Sequence, residues 1–159
     1  MRLLERLSVM SAVAAAFALA VPAAAQELKL PEGQLAVHYN RPDGKYDGWG
    51  LHVWESSQKK EEVGDEFAMK ELSDRPLSGV TWFKPLPQSG KDDFGVYWLL
   101  PEKEFGNGRV NYIIHKGDKK EQCNKDMFWL VKDSREAWVN AGDCKLYLSK
   151  DEALKARKK

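Results

Sequence analysis

The stretch WGLHVW at residues 49–54 decides the fold prediction. Successive side chains of a β-strand point to opposite faces, so this run separates into two sets. Trp49, Leu51 and Val53 form an apolar set, whereas His52 and Trp54 share the other face with a glycine. The pattern predicts a strand with Trp49 in the core and Trp54 on the opposite, outer face.

The sequence on both sides of this strand has the same character. Upstream, the run LAVHY at residues 35–39 also alternates, and the turn sequences PDG (42–44) and DG (47–48) separate the two strands. Downstream, six more strands are predicted, at residues 80–83, 94–100, 110–115, 128–131, 136–139 and 145–148. Seven to eight short strands with frequent turn signals predict an all-β, immunoglobulin-like antiparallel β-sandwich.

Two segments depart from the strand pattern. Residues 55–79 are long, charged and poor in β-branched side chains, and we predict a surface excursion with a short helix at residues 66–72. At the C-terminal end, Ser149 is suited to an N-cap, acidic residues follow it, and basic residues close the segment. That charge order favours a short C-terminal helix.

The N-terminal segment has the pattern of a signal peptide. Arg2 and Arg6 precede an uncharged, alanine-rich run, and Ala23 and Ala25 stand where signal peptidase requires small residues. We predict a signal peptide at residues 1–25 and one domain at residues 26–159, exported to the periplasm or secreted and free of the membrane after cleavage. A retained membrane anchor is the alternative, since the run is nearly long enough to span a bilayer.

The charge and cysteine content limit the function classes further. Without the charged residues of the first 25 positions, the formal net charge is zero, which argues against a nucleic-acid partner. Cys123 and Cys144 fit neither a four-cysteine zinc site nor a CxxC motif. In an oxidising compartment they are predicted to form a disulfide, with two free thiols as the alternative.

The motifs of common enzymes are missing from the sequence. It has no Gly-rich phosphate loop, GxSxG or HExxH motif, so we predict a protein that is not an enzyme and takes no cofactor. Asp92 and Asp93 are adjacent, so on a strand they cannot easily flank one glycosidic bond. His38, His52 and His115 fall in different strands without ligand spacing, so no metal site is predicted.

Tryptophan is the more informative residue. Six tryptophans exceed what the core of a small domain needs, and Trp54 lies on the outer face of its predicted strand. A flat indole on a solvated sheet is a surface on which a sugar ring can stack. Burial of Trp54 beneath residues 55–79 is an equally supported alternative.

Four segments together resemble a known family. They are LAVHYNRPDGKYDGWGLHVW (35–54), GKDDFGVYWLLP (90–101), VNYIIHKGDKKEQCNKDMFWLV (110–131) and EAWVNAGDCKLYLSKDEA (136–153). In this order they resemble the pullulanase-associated domain, the family 41 carbohydrate-binding module. The resemblance implies a β-sandwich that binds α-glucans such as amylose, amylopectin and pullulan, usually attached to a pullulanase.

The resemblance also implies a set of ligand-binding residues. The family binds glucan through two strand tryptophans spaced by two, a loop aromatic, a lysine in the same loop and an acid. These positions correspond to His52 and Trp54, to Lys119, to Lys120 and to Asp126. This chain therefore has histidine and lysine at two positions where the family has aromatic platforms.

The resulting hypothesis is a non-catalytic domain that binds α-glucan polysaccharide or malto-oligosaccharide through these five residues, with a separate glycoside hydrolase as a candidate partner. The alternative is an envelope module for protein–protein interaction that keeps the fold but has lost glucan binding. The two departures from the family pattern and the charged segment 55–79 favour that alternative.

Overall fold

A computed structural model of the protein describes residues 26–55 and 75–157. The described strands are β1 (Gln34–Asn40), β2 (Gly50–Glu55), β3 (Arg75–Pro76), β4 (Gly90–Lys91), β5 (Val96–Pro101), β6 (Arg109–Lys116), β7 (Lys119–Lys120), β8 (Met127–Leu130) and β9 (Glu136–Asn140). One helix, α1 (Lys150–Ala156), follows them. The predicted signal peptide and the predicted helix at residues 66–72 lie outside the described residues. None of the described helices is long and apolar enough to cross a bilayer.

The strands form two sheets. The first has the order β4-β5-β1-β9, and the second has the order β3-β2-β6-β7, with β8 also paired to β6. The predicted β-sandwich with a short C-terminal helix is thus confirmed. One pair differs from the predicted antiparallel arrangement, because β1 and β9 run parallel from Ala36↔Glu136 to Asn40↔Asn140.

The core lies between the sheets and follows the period of two. On β2, Leu51 and Val53 are fully buried, and Trp49 just before the strand is 6% exposed. The same core contains Leu35, Val37, Tyr39, Val96, Trp98, Leu100, Val110, Tyr112, Ile114 and Trp129. The prediction that Trp49 faces inward is therefore confirmed.

Two predicted strands are not formed. Residues 80–83 make a tight turn in which Thr81 and Lys84 exchange backbone hydrogen bonds, each donating its N–H to the other's carbonyl, at 3.1 and 3.2 Å. Pro85, which follows, has no N–H to continue a ladder. Residues 145–148 form a single bridge, between Trp138 and Tyr147. The predicted helix is present, and the Ser149 hydroxyl accepts a hydrogen bond from the Glu152 N–H at 3.4 Å.

A buried charged cluster on β1 stabilises the outer side of the first sheet. His38 is fully buried and lies 3.7 Å from the Trp138 ring in a parallel stack. Its two ring nitrogens are 2.8 Å from Asp92 Oδ2 and 3.0 Å from Glu136 Oε1. Asp92 Oδ1 also accepts hydrogen bonds from the Phe94 and Gly95 N–H groups. His38 and Asp92, considered above for metal binding and catalysis, therefore have a structural role.

The cluster predicts a pH dependence of stability. Burial alone lowers the pKa of His38, but hydrogen bonds to Asp92 and Glu136 outweigh it and raise that pKa above 6.5. Burial alone raises the pKa of Asp92, but hydrogen bonds from His38 and the Gly95 and Phe94 backbone lower it below 3.8. The His38 contribution is present below pH 6.5 and is lost as the pH rises through the raised pKa. The Asp92 contribution is present above pH 3.8 and is lost as the pH falls through the lowered pKa.

The substitution Asp92→Asn tests this pH dependence. The asparagine amide oxygen can still accept the Phe94 and Gly95 hydrogen bonds, but the negative charge facing His38 is lost. We expect a loss of about 2 kcal/mol in the free energy of unfolding near pH 5, shrinking towards high and low pH. Urea titrations between pH 3 and 9 measure it. A loss that stays constant across that range contradicts the assignment.

Candidate functional site

The candidate site lies on the outer face of the second sheet. His52 and Trp54 on β2 are both partly exposed and point away from the core. Their rings are 5.3 Å apart between centroids and tilted by 39°. On β6, Ile113 lies opposite His52 and Asn111 lies opposite Trp54. Trp54 is thus half-buried at its base but accessible, as the alternation predicts.

A third aromatic side chain, Trp82, completes the site. Its indole stacks on the His115 imidazole, with centroids 4.0 Å apart and planes 8° from parallel. It also meets His52 edge-on at 5.9 Å. Trp82 reaches this position because its segment runs along the edge of β2, where Leu51 and Leu86 exchange backbone hydrogen bonds of 3.1 and 2.8 Å.

Gly50 makes room for that segment. A Cβ atom at residue 50 would lie 2.7 Å from the Pro85 Cγ atom, closer than real side chains approach. Gly50 also lies directly opposite His115 in the sheet. The missing side chain therefore lets the segment that carries Trp82 cross over the sheet to the His115 ring.

Sequence reasoning missed Trp82. The signal was present, since the prolines at 85 and 87 argue against an extended ladder and favour a segment that covers the sheet. The strand prediction for residues 80–83 treated the tryptophan as part of a regular strand, whereas the structure places it in a tight turn. No pattern within four residues could indicate which neighbouring ring it contacts.

A charged pair lies at one end of the site. The Lys120 Nζ atom donates to Asp126 Oδ1 at 3.1 Å and lies 5.5 Å from the Trp82 ring centroid. The Trp82 indole N–H donates to Asp118 Oδ1 at 3.4 Å. The site forms a groove of about 460 Å³, lined by His52, Trp54, Pro76, Trp82, Ile113, Lys120 and Asp126.

Four of the five predicted ligand-binding residues therefore meet in one groove. Lys119 does not join them, because adjacent residues of β7 point to opposite sides of the sheet. Its Nζ atom instead lies 5.7 Å from the centroid of the Trp49 ring. Trp82 supplies a further aromatic wall of the groove. The family resemblance had implied an aromatic at position 119, where this chain has lysine.

The groove holds a neutral imidazole at neutral pH. Burial lowers the pKa of His52 below 6.5, and the charge of nearby His115 lowers it further. Interactions with the Thr81 backbone and with Asp126 act in the opposite direction and are outweighed. His52 therefore contributes an uncharged ring to the groove, with its Nδ1 atom buried and without a hydrogen-bond partner among the described residues.

The loop that carries Lys120 and Asp126 is fixed at several points. Cys123 and Cys144 are paired, with Cα atoms 5.1 Å apart, within the range of disulfides. Gln122, Cys123 and Asn124 all have positive φ, between 53° and 61°. Glu121 receives hydrogen bonds of 3.0 Å from the Arg41 side chain and from the Gly142 N–H.

The cysteine pair predicts a measurable stabilisation. Replacing both Cys123 and Cys144 with serine should lower the free energy of unfolding by about 3 kcal/mol, since the unfolded chain loses a closed loop. Guanidinium titration of the double variant measures this loss. Intact mass of the protein after alkylation without reductant provides the direct check. Two alkylated thiols contradict the predicted disulfide.

Comparison with known proteins agrees with this architecture. The sequence model of the bacterial pullanase-associated domain matches residues 33–148, which is most of the chain. The chain belongs to the pullulanase-associated domain family. A segment of 85 residues is 35% identical to an α-amylase of Streptomyces lividans, covering 54% of this chain and 7% of that enzyme. The pullulanase-associated domain is thus also similar to a small part of an α-amylase.

Solved structures show the same fold. Family 41 carbohydrate-binding modules from streptococcal virulence factors, described as recognising α-glucan, are 21% identical with a TM-score of 0.54, over 77% of this chain and 50% of theirs. The pullulanase PulA of Klebsiella pneumoniae is 20% identical with a TM-score of 0.61, over 87% of this chain and 13% of PulA. A Klebsiella pneumoniae pullulanase complexed with maltotriose gives a TM-score of 0.58 at 20% identity, over 87% of this chain and 12% of that enzyme. The pullulanase-associated domain described here spans half or less of each.

Proposed function

We propose that this domain binds α-1,4-glucans or malto-oligosaccharides in the groove on its second sheet, without catalysing a reaction. The observation that carries the proposal is the accessible indole of Trp54, which faces a groove walled by Trp82. Aromatic rings stack on the apolar C–H faces of sugars, and two rings at an angle suit a curved chain. Family membership supports the same class of ligand.

The polar end of the groove supports this proposal. Lys120 donates and Asp126 accepts, so the pair can exchange hydrogen bonds with the hydroxyls of one sugar unit. The pair is accessible, because 58% of the Asp126 side chain is exposed. The groove therefore combines aromatic surface with a few directed polar groups, as ligand sites commonly do.

The proposed absence of catalysis has a geometric basis. Glycoside hydrolysis generally requires two carboxyl groups on either side of the scissile bond. Among the described residues that line the groove, Asp126 supplies the one carboxylate, and Lys120 is bonded to it. Asp92 is held by His38 on the other sheet.

Isothermal titration with maltotetraose and amylose tests the proposal. We expect saturable heat and a change in tryptophan fluorescence at millimolar sugar or below. Cellotetraose is the matched control, since it has the same glucose units in β-1,4 linkage and a straighter chain. If the α-glucans give neither heat nor a change in tryptophan fluorescence, the proposed function is wrong.

We also propose that residues 1–25 are removed on export and that the domain at residues 26–159 acts in the periplasm or outside the cell, beside a separate glycoside hydrolase. The signal-peptide pattern and the paired cysteines support this location. A mature protein that begins at Gln26 in the exported fraction is the expected result, and a chain that still starts at residue 1 contradicts it.

A further inference from the structure

The outer face of the second sheet continues beyond the groove as a transverse row of side chains. Strand register places Pro76 opposite Trp54, Trp54 opposite Asn111, and Asn111 opposite Phe128. Residues directly opposite each other in a sheet project from the same face. Phe128 on β8 therefore stands on the same surface as Trp54, two strands away.

Phe128 is unusual among the aromatic side chains of this face. It is 47% exposed, although it lies within a strand of the sheet. Its inward-facing neighbour Trp129 is 2% exposed, so the exposure belongs to one side of β8. The ring thus shares an exposed sheet face with Trp54, and an exposed flat ring offers a surface on which a sugar can stack.

The Phe128 ring is held in place by Arg109. The Arg109 guanidinium carbon lies 3.8 Å from the ring centroid, and the Arg109 Nε donates to the Asn111 side-chain oxygen at 3.2 Å. Arg109 pairs with Leu130, which lies two residues beyond Phe128 on β8. The guanidinium lies against one face of the ring, so a ligand can stack only on the other face.

We propose that Phe128 is a second sugar-contact platform, which binds glucan units that extend out of the groove past Trp54. This inference rests on the proposed function. Adjacent strands are separated by about 4.8 Å, so the two platforms lie roughly 10 Å apart across Asn111. A chain of several sugar units reaches both platforms, whereas a short oligosaccharide seated in the groove reaches Trp54 alone.

The consequence is a dependence of affinity on chain length. In wild-type protein, affinity should rise from maltotriose to maltoheptaose. With Phe128→Ala, the affinity for maltoheptaose should fall by about five- to tenfold, the usual scale for a lost stacking partner, while that for maltotriose changes by less than about twofold. Phe128→Tyr should restore the wild-type rise, because it keeps the flat ring.

Two further variants separate stacking from other effects. Phe128→Leu retains apolar surface without a flat ring and should behave like Phe128→Ala. Leu148→Ala is the control, since Leu148 is a 39% exposed apolar side chain away from the second sheet. Melting curves should show that all four variants fold.

The titrations have three outcomes. A loss confined to the longer sugars in the Ala and Leu variants, and absent in Tyr, supports the second platform. An equal loss at all lengths, or no loss at all, overturns it while glucan binding by the wild type stands. A wild-type protein that binds no sugar of any length overturns both the platform and the proposed function.

Discussion

Replacing Trp54 with alanine is expected to abolish detectable binding of maltotetraose while leaving the domain folded. Trp54 lines the groove, and its partly exposed indole provides a flat surface there. Loss of a stacking platform costs about 1–3 kcal/mol in comparable aromatic sites, which takes a weak sugar interaction beyond the range of titration. Its partial exposure limits the cost in stability to about 1 kcal/mol.

Titration calorimetry and thermal melting of the same samples measure both effects. Trp54→Phe is the matched variant, since it keeps a flat ring on the same strand and should retain part of the affinity. Undiminished binding by the alanine variant would place the ligand elsewhere on the molecule. A large drop in melting temperature would instead show that Trp54 is a core residue.

Replacing Trp49 with alanine is expected to have the opposite effect. Trp49 lies between the sheets, with the Tyr39 ring 5.8 Å away and the Arg41 guanidinium 4.8 Å from its own centroid. Truncation of a buried tryptophan leaves a cavity and costs about 3–5 kcal/mol. The free energy of unfolding from urea titration should fall by that amount.

The two tryptophan variants form a matched pair, because the residues lie five positions apart on opposite faces of one strand region. At temperatures where Trp49→Ala is still folded, its affinity for maltotetraose should stay within about threefold of wild type, since residue 49 does not line the groove. If Trp49→Ala loses binding and keeps its stability, the assignment of the two faces is wrong.

Local alternation was sufficient to predict which side chains of β2 face the core. A period of two is a property of the strand itself, so Trp49 and Trp54 could be separated without knowing any neighbour. Sheet order is not local in that sense. The parallel pairing of β1 with β9 joins residues 36–40 to residues 136–140 and leaves no trace in the periodicity of either strand.

The residues of the groove also divide into those that the sequence predicts and those that depend on distant parts of the fold. His52, Trp54, Lys120 and Asp126 were predicted from family resemblance, and the structure brings them together. Lys119 was predicted with them, but β7 is a two-residue strand, so a shift of one position exchanges its faces. Trp82 was missed because the prolines after it were not used, and because its exact position depends on Gly50, whose missing side chain admits the Pro85 ring.

The parallel pairing of β1 and β9 also has a consequence for how the domain acquires its structure. β1 lies in the middle of its sheet, between β5 and β9, so one of its two edges stays unsatisfied until residue 140 has been synthesised. Contacts between such distant parts of a chain raise the contact order and slow folding, because a long loop must close first. The first sheet therefore cannot be completed until nearly all of the described chain has been made. This order of events is consistent with the export proposed above, in which the chain crosses a membrane before it folds.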